Sequence, residues 1–166
     1  MKLKNKVAII TGATGDIGKN TAKKFLQEGA KVMLAGRSAE KLSRLQNELN
    51  VDGKVHNLAG EVCSESYVET LIEETLKKFN QVDIMFANAG IEGRTAVLEE
   101  QAMEDFTNLL NVNVIGVWLC IKHSIKVMKK NQGDSSIIVT SSGAGVLGYA
   151  GGGPYIASKH AVNGLV

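Results

Sequence analysis

The chain has almost no proline: Pro154 stands alone in 166 residues, against 18 glycines. That balance argues against a linker-rich or disordered chain and suits a fold of many tight strand-to-helix turns. Cysteine is nearly as scarce. Cys63 and Cys120 are far apart and belong to no CxxC pattern, which excludes a disulfide framework or zinc ribbon and predicts two reduced, mostly buried thiols. His56, His123 and His160 show no ligand spacing, so each reads as a surface or strand residue and no metal is expected. No sign of charge dominates either. The 19 basic and 17 acidic residues leave a net charge of +2 with no basic stripe, so nucleic acid is a poor partner. Long apolar runs are also absent. Lys2, Lys4 and Lys6 imitate the basic start of a signal peptide, but the apolar run after them holds four residues, far too few for a signal or a membrane span. These absences predict a cytoplasmic protein without a membrane partner.

What is present is a core. With 44% hydrophobic and 22% charged residues, the composition is that of one globular domain over residues 1 to 166. Apolar runs of four to seven residues alternate with longer amphipathic stretches, the pattern of βαβ units around a parallel sheet buried on both faces. Strands are predicted at 6 to 11, 31 to 35, 54 to 59, 82 to 87 and 135 to 141. Helices are predicted at 16 to 29, 39 to 50, 65 to 79 and 100 to 131, the last containing Asn111 and Asn113. A final helix should begin near Pro154, a residue favoured in a first turn, and should still be running at Val166, as if the chain were cut in mid-helix. The fold class is α/β, a Rossmann-type doubly wound parallel sheet with helices on both faces, with ligands at the carboxyl ends of the strands near the switch in strand order.

The first such end carries TGATGDIG, residues 11 to 18. Gly12, Gly15 and Gly18 follow a strand and open a helix, where backbone N–H groups and the positive end of the helix dipole favour an anion. The spacing is GxxGxxG rather than the common GxGxxG. Asp16, inside the turn, is an acid where a phosphate would be welcomed. Its expected place is the first helical turn, capping free N–H groups with its carboxylate turned from the phosphates.

Further along, the chain reads ANAG at 87 to 90, VTSSGAG at 139 to 145 and YIASK at 155 to 159. Together these stretches resemble the short-chain dehydrogenase/reductase family, whose cofactor turn reads TGxxxGxG, whose fourth strand ends in NNAG and whose active site holds Ser and YxxxK. The matches are Thr11, Gly12 and Gly18; Asn88, Ala89 and Gly90; Ser141 or Ser142; and Tyr155 with Lys159. They run the whole length of the chain in the right order. Two positions depart from the pattern: Asp16 replaces the middle glycine of the turn, and Ala87 replaces the first Asn of NNAG.

The resemblance, to NADP(H)-dependent 3-oxoacyl-reductase-like members among others, implies hydride transfer between a nicotinamide dinucleotide and a carbonyl or alcohol. Tyr155 and Lys159 share a helix face, and a neighbouring ammonium favours the phenolate of a tyrosine acting as acid–base. Lys159 would also bind the nicotinamide ribose. Ser142, thirteen residues before Tyr155, fits the family spacing better than Ser141 and would polarise the substrate carbonyl. Asn113 occupies the place of the family's fourth catalytic residue, holding a water that links Lys159 to solvent; the alternative is a helix-interior Asn bonding to a carbonyl, which Asn111 could do equally well. Thr11, Gly12, Gly15, Asp16, Ile17, Gly18, Asn88, Ala89 and Gly90 would line the cofactor, with Glu61 and Val62 at the adenine. At the end of the second strand Gly36 stands where an NAD enzyme has an acid, and Arg37 with Ser38 could receive a 2′-phosphate. NADP(H) is therefore preferred, with NAD(H) as the alternative. The rival readings are an NAD-dependent alcohol or sugar dehydrogenase, or a nucleotide-binding fragment without turnover. Trp118 reads as packing or an interface anchor, and by resemblance alone a homodimer or homotetramer is expected.

Overall fold

A computed structural model describes residues 1 to 49, 51 and 53 to 166. Five parallel strands form one sheet: β1 (Val7–Thr11), β2 (Lys31–Gly36), β3 (Val55–Ala59), β4 (Ile84–Ala87) and β5 (Ser136–Val139), in the spatial order β3-β2-β1-β4-β5. The helices are α1 (Asp16–Gln27), α2 (Ala39–Leu49), α3 (Glu65–Phe79), α4 (Met103–Leu110), α5 (Gly116–Met128) and α6 (Gly153–Asn163). The order reverses between β1 and β4, which makes the carboxyl ends of those two strands the switch point. Among the described residues no helix is long and apolar enough to cross a membrane.

Alternation within the apolar runs divides the core in two. Ile9 pairs in register with Met33 and Met85, and these side chains pack with Val68, Leu71 and Cys120 from α3 and α5. One residue on, Ile10 pairs with Leu34 and Phe86, and these face Ala22, Leu42 and Leu45 of α1 and α2. Successive side chains on a strand point to opposite faces, so an uninterrupted apolar strand is what a sheet covered on both sides requires. Helix ends carry their own signals. Ser64 caps α3 by accepting from the Tyr67 amide at 3.4 Å, and Asn80 ends it in a left-handed conformation, φ 66°, with Lys77 and Lys78 in the last turn.

Three sequence expectations change. The helix expected over 100 to 131 is α4 and α5 joined by a π-turn, Asn111–Ile115. The helix after Pro154 does not run to Val166: α6 ends at Asn163, and the Gly164 amide reaches back to the His160 and Ala161 carbonyls. The second helix is described over Ala39–Leu49, and Asn50, its expected last residue, lies outside the described residues. Cys120 is buried, but Cys63 is only partly so. Burial pushes the Cys120 thiol up to about 12, and a thiol must ionise to react. In the native protein a thiol reagent is therefore expected to label Cys63 at once and Cys120 only after denaturant is added; immediate labelling of both would contradict the packing of α5 on the sheet.

Candidate functional site

Beyond the switch point lies an open cleft of about 530 Å³, walled by the β1–α1 turn, the ends of β2, β3 and β4, and α6. The turn can bend this sharply because Gly12 has φ +62°, and a Cβ there would stand 2.9 Å from the Ala89 Cα. Only glycine fits such a position. Gly18 is buried, and a Cβ on it would meet the Gly12 carbonyl at 2.3 Å, so its smallness lets α1 approach the turn. The first intrahelical bond of α1 runs from Lys19 N to Gly15 O, and no side chain caps the helix. The amides of its first turn are thus free of intrahelical acceptors at the cleft wall, which fits an anion such as a pyrophosphate.

At the other end of the cleft stand Tyr155 and Lys159, one turn apart on α6. Lys159 Nζ lies 5.7 Å from the centre of the Tyr155 ring and donates to the Thr140 carbonyl at 2.8 Å. Burial lowers the Lys159 pKa from the ordinary lysine value. A second cavity of about 280 Å³ adjoins, lined by Ser142, Tyr149, Tyr155 and the Glu92–Thr95 loop among others. Tyr155 and Glu92 line both spaces. The Ser142 hydroxyl accepts from the Ala144 amide at 3.2 Å, which leaves its own proton to donate.

A polar network ties these parts together. Thr11 Oγ1 accepts from the Asn88 and Ala89 amides at 3.0 and 3.1 Å and donates to the Phe86 carbonyl at 3.4 Å. Asn88 Nδ2 donates to the Thr11 carbonyl at 3.1 Å, and Thr140 Oγ1 donates to Asn88 Oδ1 at 2.9 Å. The Thr140 carbonyl is the one that holds Lys159. β1, β4, β5 and α6 are thereby linked through side chains where the strands end.

The family model described as short chain dehydrogenase matches residues 6 to 166. The chain belongs to the short-chain dehydrogenase family. It is 38% identical over 168 residues to a 3alpha-hydroxysteroid dehydrogenase of Mediterraneibacter gnavus, covering 99% of this chain and 66% of that one. A 3-oxoacyl-(acyl-carrier-protein) reductase of Thermotoga maritima is 36% identical over 166 residues, covering 99% and 67%. A short chain dehydrogenase/reductase of Burkholderia phymatum, crystallised in complex with NAD, superposes with a TM-score of 0.95 at 32% identity, covering 99% of this chain and 59% of that one. The chain thus spans roughly three fifths to two thirds of the length of these relatives.

Within this short-chain dehydrogenase frame, the structure gathers most of the predicted residues and reassigns a few. Gly12, Gly15, Asp16, Ile17, Arg37, Glu61, Val62, Asn88, Ala89, Gly90, Tyr155 and Lys159 line the cleft. Thr11 does not: it is 1% exposed and holds the strand ends together. Ser38 accepts from the Lys41 amide at 3.2 Å, the geometry of a cap on α2, and is no part of the cleft wall. Asp16 is the first residue of α1, as expected, but the N-cap is Gly15 and the expected carboxylate cap does not form. A side chain at the first helical position lies beside the free amides, whereas a cap must precede them. Asn113 sits inside the π-turn, fully buried, with its amide accepting from Ile91 N and donating to Ile91 O, both at 2.8 Å, and to Ser158 Oγ at 3.1 Å. It pins the segment after β4 against α6, while Asn111 is exposed. Thr14, Glu92 and Thr140 line the cleft unforeseen, because no motif spacing marks a residue that arrives there by loop path alone.

His123 corrects another expectation. It is neither on the surface nor in a strand: it is 4% exposed on α5, with Nε2 2.9 Å from Glu65 and Nδ1 3.7 Å from Glu69, both on α3. The Lys122 ammonium bonds the same Glu65 oxygen, and Lys122 and His123 together hold the Glu65 carboxyl below its ordinary value. The Lys122–Glu65 ion pair and the His123–Glu65 hydrogen bond clasp α3 to α5. The Thr11 network yields a sharper test. Thr11→Val keeps the shape and strands two amide donors, so it should cost about 2 to 4 kcal/mol in denaturant unfolding; a loss below roughly 0.5 kcal/mol, within the range of ordinary surface changes, would mean those amides find other partners.

Proposed function

We propose that the protein is a nicotinamide-dependent oxidoreductase acting on a carbonyl or alcohol, with NADP(H) as its preferred cofactor. The observation that carries this reading is that Tyr155 forms a wall of both the long cleft and the cavity holding Ser142, so one phenol faces a cofactor on one side and a substrate on the other. The first-turn amides of α1 would hold the pyrophosphate, Glu61 and Val62 the adenine end, and Asn88 to Gly90 with Lys159 the nicotinamide ribose end. A bound nicotinamide supplies or accepts the hydride. Ser142 directs its free proton to the substrate oxygen and fixes the carbonyl. Tyr155 gives its hydroxyl proton to that oxygen in reduction and takes it back in oxidation. Lys159, held by Thr140, keeps a positive charge against the Tyr155 ring, where it opposes the cost of a negative phenol oxygen. Asn113 acts by holding the floor under Gly90, since its amide is already committed to Ile91 and Ser158.

The NADP(H) preference now rests on Arg37 and Gly36. Both line the cleft at the end of β2, Gly36 offers no carboxylate, and an exposed guanidinium suits a phosphate. A second reading, an NAD-dependent dehydrogenase, draws on the Burkholderia relative crystallised with NAD. Self-association is part of the same proposal: Ile115, at the end of the π-turn, and Trp118 and Ile125 on α5 are exposed, an apolar face suited to a second copy.

Fluorescence titration separates the cofactor readings. NADPH should bind the full-length protein about tenfold or more tighter than NADH, and Arg37→Ala should erase the difference; equal affinity in the unmodified protein would favour the NAD reading. Asp16→Gly should tighten NADPH a few-fold, roughly the scale of one exposed charge pair, and a large loss would give the acid an unforeseen role. With a panel of ketones, 3-oxoacyl thioesters and sugars, Tyr155→Phe should lower kcat by about 10² to 10⁴ while NADPH binding persists. Turnover near that of the unmodified protein would remove Tyr155 from the proton transfer.

A further inference from the structure

Tyr155, Lys159 and Asn163 recur at four-residue intervals along α6, so all three lie toward one side of the helix. The first two line the cleft. The third reaches the turn that carries Ser142. Asn163 Oδ1 accepts from the Ser141 hydroxyl at 2.5 Å, and Asn163 Nδ2 donates to the Gly145 carbonyl at 2.9 Å. Those two anchor points bracket Ser142 in the chain. Gly145 is buried, and a Cβ there would stand 2.6 Å from Asn163 Nδ2, 2.8 Å from Ser141 Oγ and 3.0 Å from the Lys159 carbonyl, so the turn is already seated as closely on α6 as it can be. Within it the Ala144 amide donates to Ser142 Oγ, and this bond decides which way the serine proton is free to point.

We infer that Asn163 is a positioning residue that sets the Ser142 turn in register with the helix bearing Tyr155 and Lys159. A side-chain amide suits the task because it presents one acceptor and one donor in a fixed plane, matched here to a hydroxyl and a carbonyl. Leucine keeps the size and loses both bonds; removing the Ser141 hydroxyl loses one. Helix α6 therefore delivers all the polar groups of the proposed reaction: two directly, and the serine through Asn163. The catalytic consequence rests on the oxidoreductase reading above, whereas the structural tie does not.

The test compares the unmodified full-length protein with Asn163→Leu and Ser141→Ala. Measured are kcat, the KM of cofactor and carbonyl substrate, NADPH binding, and amide exchange across residues 141 to 147. Asn163→Leu should lower kcat about tenfold or more, as a displacement of the order of 1 Å can. Cofactor KM and NADPH affinity should stay within about twofold, and exchange at Ala144 and Gly145 should quicken while β5 stays protected. Ser141→Ala should fall between, and serves alone if the leucine variant does not fold. Unchanged kcat and exchange in a protein that turns over would overturn the positioning role. So would slower turnover matched only by a lower melting temperature, with exchange at 144 and 145 unaltered. No turnover by the unmodified protein on any substrate of the panel would instead sink the oxidoreductase reading, and that shows before any variant is compared.

Discussion

One hydroxyl oxygen, Thr11 Oγ1, holds the switch point together. It accepts two amide bonds from the chain leaving β4 and donates one to the Phe86 carbonyl, which uses its full capacity. The need arises from topology. Where the sheet order reverses, the connections after β1 and β4 leave toward opposite faces, and the backbone groups just past the strands lose their ladder partners while still partly buried. A cleft opens there because the chains diverge, and it stays open because side chains, rather than further strand, satisfy the backbone. Asn88 repeats the device with its amide, and Thr140 extends it to β5 and Lys159. The position of the lysine is thus fixed by the same network that fixes the cleft floor.

This explains how much of the molecule can be read from its sequence. Parallel strands covered on both faces must be continuously apolar, so KVAII, KVMLA and VDIMFA declare themselves, and the strand limits move by only one or two residues in the structure. Tight approaches that only glycine allows are legible as well, as Gly12 shows. The π-turn is not, since one extra residue per turn leaves the apolar periodicity of α4 and α5 nearly intact.

Site residues divide along the same line. A motif names residue types in order, and it does not distinguish a side chain that faces the ligand from one that supports its neighbours. Thr11 and Ser38 belong to the supporting kind, and so does Asn113, whose partners lie 22 and 45 residues away in the chain. His123 was missed because its carboxylate partners sit on another helix, 58 and 54 residues earlier. Contacts made across such distances have no local pattern to announce them.

Asp16 shows how a departure from the family pattern is tolerated. Two opposing terms meet at the first position of α1. A carboxylate in the first turn gains about 0.3 to 1 kcal/mol from the helix dipole. Against a phosphate it would cost about 1 kcal/mol at roughly 4 Å where water screens the pair, and several times more in a dry site. Asp16 is exposed on an open cleft, so the screened figure applies and the two terms nearly cancel. The glycine it replaces would leave the helix without that first-turn charge while giving the backbone more freedom to move. Because Gly15 immediately before it already supplies an open N-cap with no side chain, the turn retains a bare approach to the helix amides. An acid can therefore stand inside the proposed anion site as long as it stays wet.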